Sequence, residues 1–113
     1  MNAQLNLVFR HEIEIAKSAL KSGEWERAYH HLERAHVLGQ RYVWPHTYCH
    51  VLFLKLGWAR RDIGEIIGQF LRIVLGAVGS VLNRVPVGNT GGANVNMFRR
   101  MPIAEDLRQY LND

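Results

Sequence analysis

The sequence contains one cysteine, Cys49, among its 113 residues. A single thiol cannot form a disulfide within the chain, so packing and hydrogen bonds alone must hold the fold together. The amino-terminal stretch MNAQLNLVFRHEIEIAK lacks the basic start and apolar block that mark a secretory signal. Both observations favour a reducing, cytoplasmic location.

The chain also lacks a dense run of one charge. Its 14 basic and 10 acidic residues give a net charge of +4, and basic residues are neighbours only at Arg60-Arg61 and Arg99-Arg100. A nucleic-acid surface usually shows a denser stripe of lysine and arginine, interleaved with exposed aromatic residues. We therefore expect no nucleic-acid partner.

No apolar run has the composition of a membrane span. The most apolar stretch, Ile63 to Leu82, is interrupted by Glu65, Gln69 and Arg72. A spanning helix usually needs about 20 mostly apolar residues with few charges. We therefore expect a core helix here, and no membrane partner.

No motif of a known enzyme class stands out. The stretch GNTGGANVN lacks the lysine and the Ser/Thr of a phosphate-binding loop, and no strand precedes it. No serine lies in a nucleophile elbow, and Cys49 falls in an apolar helical stretch where burial would raise its pKa. These features favour a non-enzymatic protein over an enzyme.

Apolar residues recur at helical spacing over most of the chain. The sequence predicts four helices, at about 5–21, 24–38, 45–56 and 61–82, and a short terminal helix at 104–111. Turn-forming or helix-starting residues separate them: Gly23, Gly39, Pro45, Gly57 and Asp62. We expect an all-α single domain in which residues 1–84 form a bundle of two antiparallel hairpins. Residues 85–113 would form a Gly/Asn-rich strap and the terminal helix, both packed on that bundle.

The fourth helix combines small residues with one arginine. Its small residues follow a four-residue spacing: Gly64, Gly68, Gly76 and Ser80. Such a stripe lets a neighbouring element approach closely, which offsets the roughly 1 kcal/mol by which glycine weakens a helix relative to alanine. Arg72 interrupts the stripe and needs a carboxylate or carbonyl partner. A salt bridge with Glu65 or Glu33 is the favoured interpretation.

Two resemblances to known families follow from particular stretches of the chain. Residues 9–40 resemble a tetratricopeptide helix–turn–helix unit through Ala16, Gly23, Trp25, Ala28, Leu32 and Ala35. One such unit does not form a solenoid, which needs about three repeats, so the resemblance implies only a related hairpin. The stretches LERAHVLGQRYVWPH, GQFLRI and PVGNTGGANVNMF…MPI resemble an uncharacterised bacterial family, catalogued as a domain of unknown function. This second resemblance implies a soluble, mainly helical protein and no particular activity.

Three histidines and a glutamate lie on either side of the turn between the second and third helices. In an antiparallel hairpin, residues equally far from the turn face each other, which brings His36 towards His46 and Glu33 towards His50. Imidazole nitrogen suits zinc, copper and iron, and a carboxylate completes a mixed ligand set. The sequence therefore predicts a centre for one transition metal ion (Zn, Fe or Cu) formed by Glu33, His36, His46 and His50.

Other interpretations of the same residues stay open. The histidines and Glu33 could form a structural network of hydrogen bonds, because buried imidazoles need polar partners. The protein would then be an interaction or oligomerisation module, binding a protein partner or forming a homodimer through its hairpin surface or the glycine-lined fourth helix. A third interpretation is a metal-dependent enzyme with the strap as a lid.

Overall fold

The computed structural model describes residues 1–81, 89–95 and 99–111, and this part of the chain contains five helices and no strand. The helices are α1 (Ala3–Lys21), α2 (Trp25–Gly39), α3 (Val43–Arg60), α4 (Ile63–Val81) and α5 (Glu105–Leu111). The predicted all-α class is therefore confirmed. Within the described ranges, none of the helices has the length and apolar character that crossing a bilayer requires.

The first hairpin pairs α1 with α2. Gly23 makes the turn with a φ of 73°, a left-handed conformation that glycine adopts without steric cost. Small side chains then allow the two backbones to approach closely, and the fully or almost fully buried ones are Ala16, Ala19, Ala28 and Ala35. The predicted turn at Gly23 is therefore present.

The turn between α2 and α3 brings the site histidines onto facing helices. Helix α2 ends at Gly39, where a Cβ atom would lie 2.9 Å from both Phe9 and Pro45. Glycine therefore lets α1 and the start of α3 pack closely here. Pro45 is the third residue of α3 rather than the first, still within the turn where its missing N–H costs no helical hydrogen bond.

Helix α3 is longer than predicted, because it continues through Gly57 to Arg60. The left-handed residue that ends it is Arg61, with a φ of 56°, and the N–H of Asp62 donates to the Gly57 carbonyl at 2.8 Å. A Cβ on Gly57 would lie 3.1 Å from Cγ of Glu65. Gly57 therefore permits the close approach of α4 and does not stop the helix, so the predicted end near Leu56 is wrong.

Helix α4 packs antiparallel to α3 and begins as predicted. The Asp62 side chain accepts a hydrogen bond from the backbone N–H of Glu65 at 3.0 Å, which caps the first turn. The predicted end at Leu82 and the predicted boundary between bundle and strap at residues 84–85 lie outside the described residues.

A buried carboxylate on α1 belongs to a polar network that links α1, α2 and α5. Glu12, on α1, is 6% exposed and accepts hydrogen bonds from His31 Nδ1 at 2.6 Å and Arg34 Nε at 2.8 Å. Arg34 also contacts Asp106 of α5 at 2.6 Å. The main core is a separate apolar cluster, and its largest side chains are Leu5, Phe9, Ile13, Leu32, Leu38, Leu52, Phe53, Leu56 and Leu107.

Candidate metal centre

Three histidine rings meet in the interior, where α2 faces α3. His36 lies near the end of α2, and His46 and His50 lie one turn apart on α3. The three residues are only 3–5% exposed. Nε2 of His50 lies 3.0 Å from Nε2 of His36 and 3.1 Å from Nε2 of His46. The ligand atoms of all three lie within 4.8 Å of one another, so they could surround one ion.

The contact made by Nδ1 of His36 shows which of its two ring nitrogens carries the proton. Nδ1 of His36 lies 2.7 Å from the backbone carbonyl oxygen of Asn89. A carbonyl can only accept a hydrogen bond, so Nδ1 carries the proton and donates. In the neutral ring, Nε2 of His36 is therefore an unprotonated nitrogen whose lone pair faces the other histidines.

The proton on His50 is assigned in the same way, through Gln69 of α4. The Gln69 amide nitrogen donates to Glu65 Oε1 at 2.9 Å and to the Gly91 carbonyl at 2.8 Å, which fixes the orientation of the amide. Its oxygen therefore faces Nδ1 of His50, at 2.6 Å, and accepts that proton. Nε2 of His50 is then also unprotonated when the ring is neutral.

Two lone pairs consequently face each other across 3.0 Å, between His36 and His50. Nε2 of His46 could donate a hydrogen bond to Nε2 of His50. The contact between Nε2 of His36 and Nε2 of His50 would still contain no hydrogen. Burial is the main cause that lowers the pKa of His46 and of His50 to about 4, and it holds the pKa of His36 well below its usual value. Near neutral pH the rings are therefore uncharged, and no added proton bridges them.

A metal ion bound between the rings would remove the repulsion between the two facing lone pairs. Zinc binds imidazole nitrogen at about 2.0–2.1 Å, which places the ligand atoms of a tetrahedral site about 3.3 Å apart. The two Nε2 separations of 3.0 and 3.1 Å are close to that value. The Nδ1–H bonds to a carbonyl and to an amide oxygen are also typical of metal-binding histidines, whose second nitrogen is usually held by such a partner.

The structure does not place Glu33 with the histidines. Among the described residues, the group with converging ligand atoms contains His36, His46 and His50 alone. Glu33 instead lines a cavity of about 180 Å³ with Thr90 and Leu107, facing the strap and α5. Burial raises the pKa of the Glu33 carboxyl, and a hydrogen bond with Thr90 opposes that rise. The Glu33 side chain leaves α2 towards α5 rather than towards α3, so the structure does not bring it together with the three histidines.

Gln69 and Glu65 support the cluster from α4, a role that was not predicted from the sequence. The Glu65 carboxylate is 7% exposed and accepts hydrogen bonds from Gln69 and from the backbone N–H of Ala93, at 3.1 Å to its Oε2. The Tyr29 hydroxyl lies 3.3 Å from the same carboxylate, and burial raises the pKa of that phenol. The sequence signal that could have revealed them is a pair of polar residues one helical turn apart in a mainly apolar helix.

Arg72 and Cys49 lie in the same region without joining the histidine group. Arg72 donates to the carbonyl oxygens of Gly68 at 3.1 Å and Val95 at 2.7 Å, so its partners are backbone carbonyls and the favoured salt bridge is wrong for the described residues. Cys49 is fully buried, and burial raises the pKa of its thiol. The thiol therefore stays protonated and acts as a small core side chain.

Residues 89–95 of the strap cover the histidines. The Asn89 and Gly91 carbonyls accept hydrogen bonds from His36 and Gln69, and Asn89 Oδ1 accepts the Gly91 N–H at 2.9 Å. Gly91 has a φ of 88°, and a Cβ there would lie 2.5 Å from Cδ2 of His36. Asn89 and Gly91 therefore lie directly over the rings of the cluster and fix their orientation.

Gly91→Ala is expected to lower the free energy of unfolding by about 2–4 kcal/mol, because it adds left-handed strain and a clash with a fixed ring. Chemical denaturation followed by circular dichroism measures this change. Gly64→Ala is the matched control, because Gly64 is exposed on α4 and its nearest neighbouring atom lies 3.5 Å from the added Cβ. That variant should be neutral or stabilised by up to about 1 kcal/mol. Equal effects of the two substitutions would contradict the close packing of the strap on His36.

Fold and site together define a small helical protein with a buried cluster of three histidines that could hold a metal ion. The chain belongs to a family described as a protein of unknown function (DUF3703), whose model matches residues 3–111. No curated protein and no solved structure matches it significantly. The resemblance of the first hairpin to a tetratricopeptide unit is not confirmed by these comparisons.

Proposed function

We propose that this protein binds one transition metal ion through Nε2 of His36, His46 and His50. The observation that carries the proposal is the pair of unprotonated nitrogens, on His36 and His50, that face each other at 3.0 Å in the interior. Burying polar atoms without a partner is unfavourable, and a cation between them turns a repulsive contact into two bonds. A purely structural network accounts less well for the same contact, because neither nitrogen has a proton to donate.

The ligand set favours zinc or copper over iron. The converging group contains imidazole and no carboxylate among the described residues. Imidazole suits zinc and copper, whereas non-haem iron is commonly held by two histidines and a carboxylate. The centre is also enclosed, with its three histidines at most 5% exposed beneath strap residues 89–95. This enclosure supports a role in holding the metal, for storage or stability, over rapid turnover of a substrate.

Metal titration of the untagged protein tests the proposal. We expect one equivalent of Zn²⁺, or of Cu⁺ under anaerobic conditions, by calorimetry and by elemental analysis after dialysis. His30→Ala should bind the same amount, because His30 lies on α2 but is exposed and outside the cluster. A wild-type protein that retains far less than one equivalent of either metal would refute the proposal.

Long-range proton–nitrogen NMR tests which ring nitrogens of His36 and His50 carry a proton. In the metal-free protein, His36 and His50 should show protonated Nδ1 and unprotonated Nε2, as their hydrogen bonds require. Added Zn²⁺ should shift the Nε2 signals of the three histidines and leave those of His30 unchanged. A protonated Nε2 on either His36 or His50 in the metal-free protein would remove the basis of the proposal.

A further inference from the structure

The outward face of α4 is apolar from Ile63 to Val78. Seven large side chains on it are each 49–70% exposed, and we call this set the α4 face: Ile63, Ile67, Phe70, Leu71, Val74, Leu75 and Val78. Their spacings of three and four residues place them on one side of the helix. Gly68 and Gly76 of α4 point elsewhere, since they approach Ala93 and His46. The glycine-lined surface around these two residues is therefore occupied from within the chain, and the apolar one is exposed.

The size of the α4 face exceeds what a monomer usually exposes. With about 180 Å² for each fully exposed large apolar side chain, the observed fractions amount to on the order of 700 Å². The largest apolar patch of a typical monomer is about 300–600 Å². Each partner in a standard protein–protein interface buries about 800 Å². The α4 face alone therefore comes close to one half of a stable interface.

The charge pattern favours a second copy of this chain as the occupant. The only ionisable residues of α4 are Glu65 and Arg72, which are 7% and 9% exposed and face inward. The α4 face thus carries no charge, although the chain has a net charge of +4, so two copies can meet there without repulsion at the contact. It also offers no polar group that would select a charged partner. Interfaces between identical subunits are more apolar than transient ones, and twofold dimers are the commonest assembly.

We propose that the protein forms a twofold-symmetric dimer in which the α4 faces of two copies pack against each other. This proposal is independent of metal binding. Sedimentation velocity or light scattering of the full chain should give twice the 13.0 kDa of one chain at micromolar concentrations. Phe70→Glu places a charge in the centre of the interface and should weaken association at least about 100-fold.

Leu7→Glu is the matched control. Leu7 is 69% exposed on α1, compared with 65% for Phe70 on α4, so both substitutions add the same charge at equally exposed sites. Leu7→Glu should remain dimeric, and both variants should keep the wild-type circular dichroism spectrum. Equal association of the two variants would overturn the proposal, as would a wild-type protein that stays monomeric at all concentrations.

A crosslinking experiment tests the same contact without destabilising it. Cys49 is fully buried, so an introduced surface cysteine is the accessible thiol. Leu71 lies near the middle of the α4 face, where a twofold axis brings a residue close to its own copy. Leu71→Cys should form a covalent dimer on mild oxidation, and Leu7→Cys should not. Monomeric protein that instead adsorbs to neutral phosphatidylcholine vesicles through α4 would show that a lipid surface covers the face, and would overturn the dimer.

Discussion

His50→Ala is expected to weaken metal binding by at least about 1,000-fold, or roughly 4 kcal/mol. His50 lies at the centre of the cluster, because its Nε2 is within 3.1 Å of Nε2 of both other histidines. Under the proposed function, its removal eliminates one of three ligands and leaves a gap between the remaining two. Competition with a chelator of known affinity measures the change.

Substitutions around His50 should follow a fixed order of effect. Gln69→Ala keeps all three ligands but removes the acceptor that holds Nδ1 of His50, and such losses typically weaken metal binding 10–100-fold. His30→Ala should have no effect. If His50→Ala bound metal as tightly as Gln69→Ala, His50 would not be a ligand. Far-ultraviolet circular dichroism of each variant separates a lost ligand from a lost fold.

Acid is expected to destabilise the metal-free protein steeply between about pH 6.5 and pH 4. The pKa values of His46 and His50 are about 4 in the folded protein, against an ordinary 6.5, and the pKa of His36 is also lowered. Between about pH 6.5 and pH 4, these histidines are protonated in the unfolded chain and remain unprotonated in the folded chain. Stability is therefore fully present above pH 6.5 and falls as the pH falls, by roughly 1.4 kcal/mol per pH unit for each histidine.

Urea denaturation from pH 7 to pH 5 measures this slope in a range where the histidines dominate the titration. His46→Gln should reduce the slope by about one proton, because it removes one group whose pKa differs between the two states. His30→Ala is the comparison variant, since His30 is exposed on α2 and lies outside the cluster. A wild-type stability that is flat over this range would contradict the burial of three uncharged imidazoles.

Periodicity was sufficient to predict the helices, because each one has a buried side that repeats every three or four residues. It was less informative about their ends. A glycine such as Gly57 is a common signal for the end of a helix. It lies inside α3 instead, where the absence of a side chain lets Glu65 of the next helix pack against it. A glycine required by a contact 8 residues away looks the same in the sequence as a glycine required by a turn.

The candidate centre also has one part that the sequence predicts and another part that it does not. The approach of His36 to His46 and His50 follows from hairpin geometry, which depends on short separations along the chain, and the structure confirms that approach. The partners that hold the rings are Asn89 and Gln69, which lie 53 and 19 residues from the histidines they bind. Such distant pairings depend on tertiary packing, which a single sequence does not display. The same hairpin geometry predicted Glu33 opposite His50, but it does not determine which neighbouring element a side chain meets, and the Glu33 side chain lies towards α5.

The hydrogen bonds from the strap have a kinetic consequence. The carbonyl of Asn89 holds the His36 ring, and the carbonyl of Gly91 holds the amide that orients His50. Under the proposed function, the strap cannot open without releasing the groups that position two ligands, so opening of the strap and release of the metal become one event. The lifetime of the bound ion would then equal the lifetime of the closed strap, and amide hydrogen exchange at Gly91 would occur at the rate at which metal leaves.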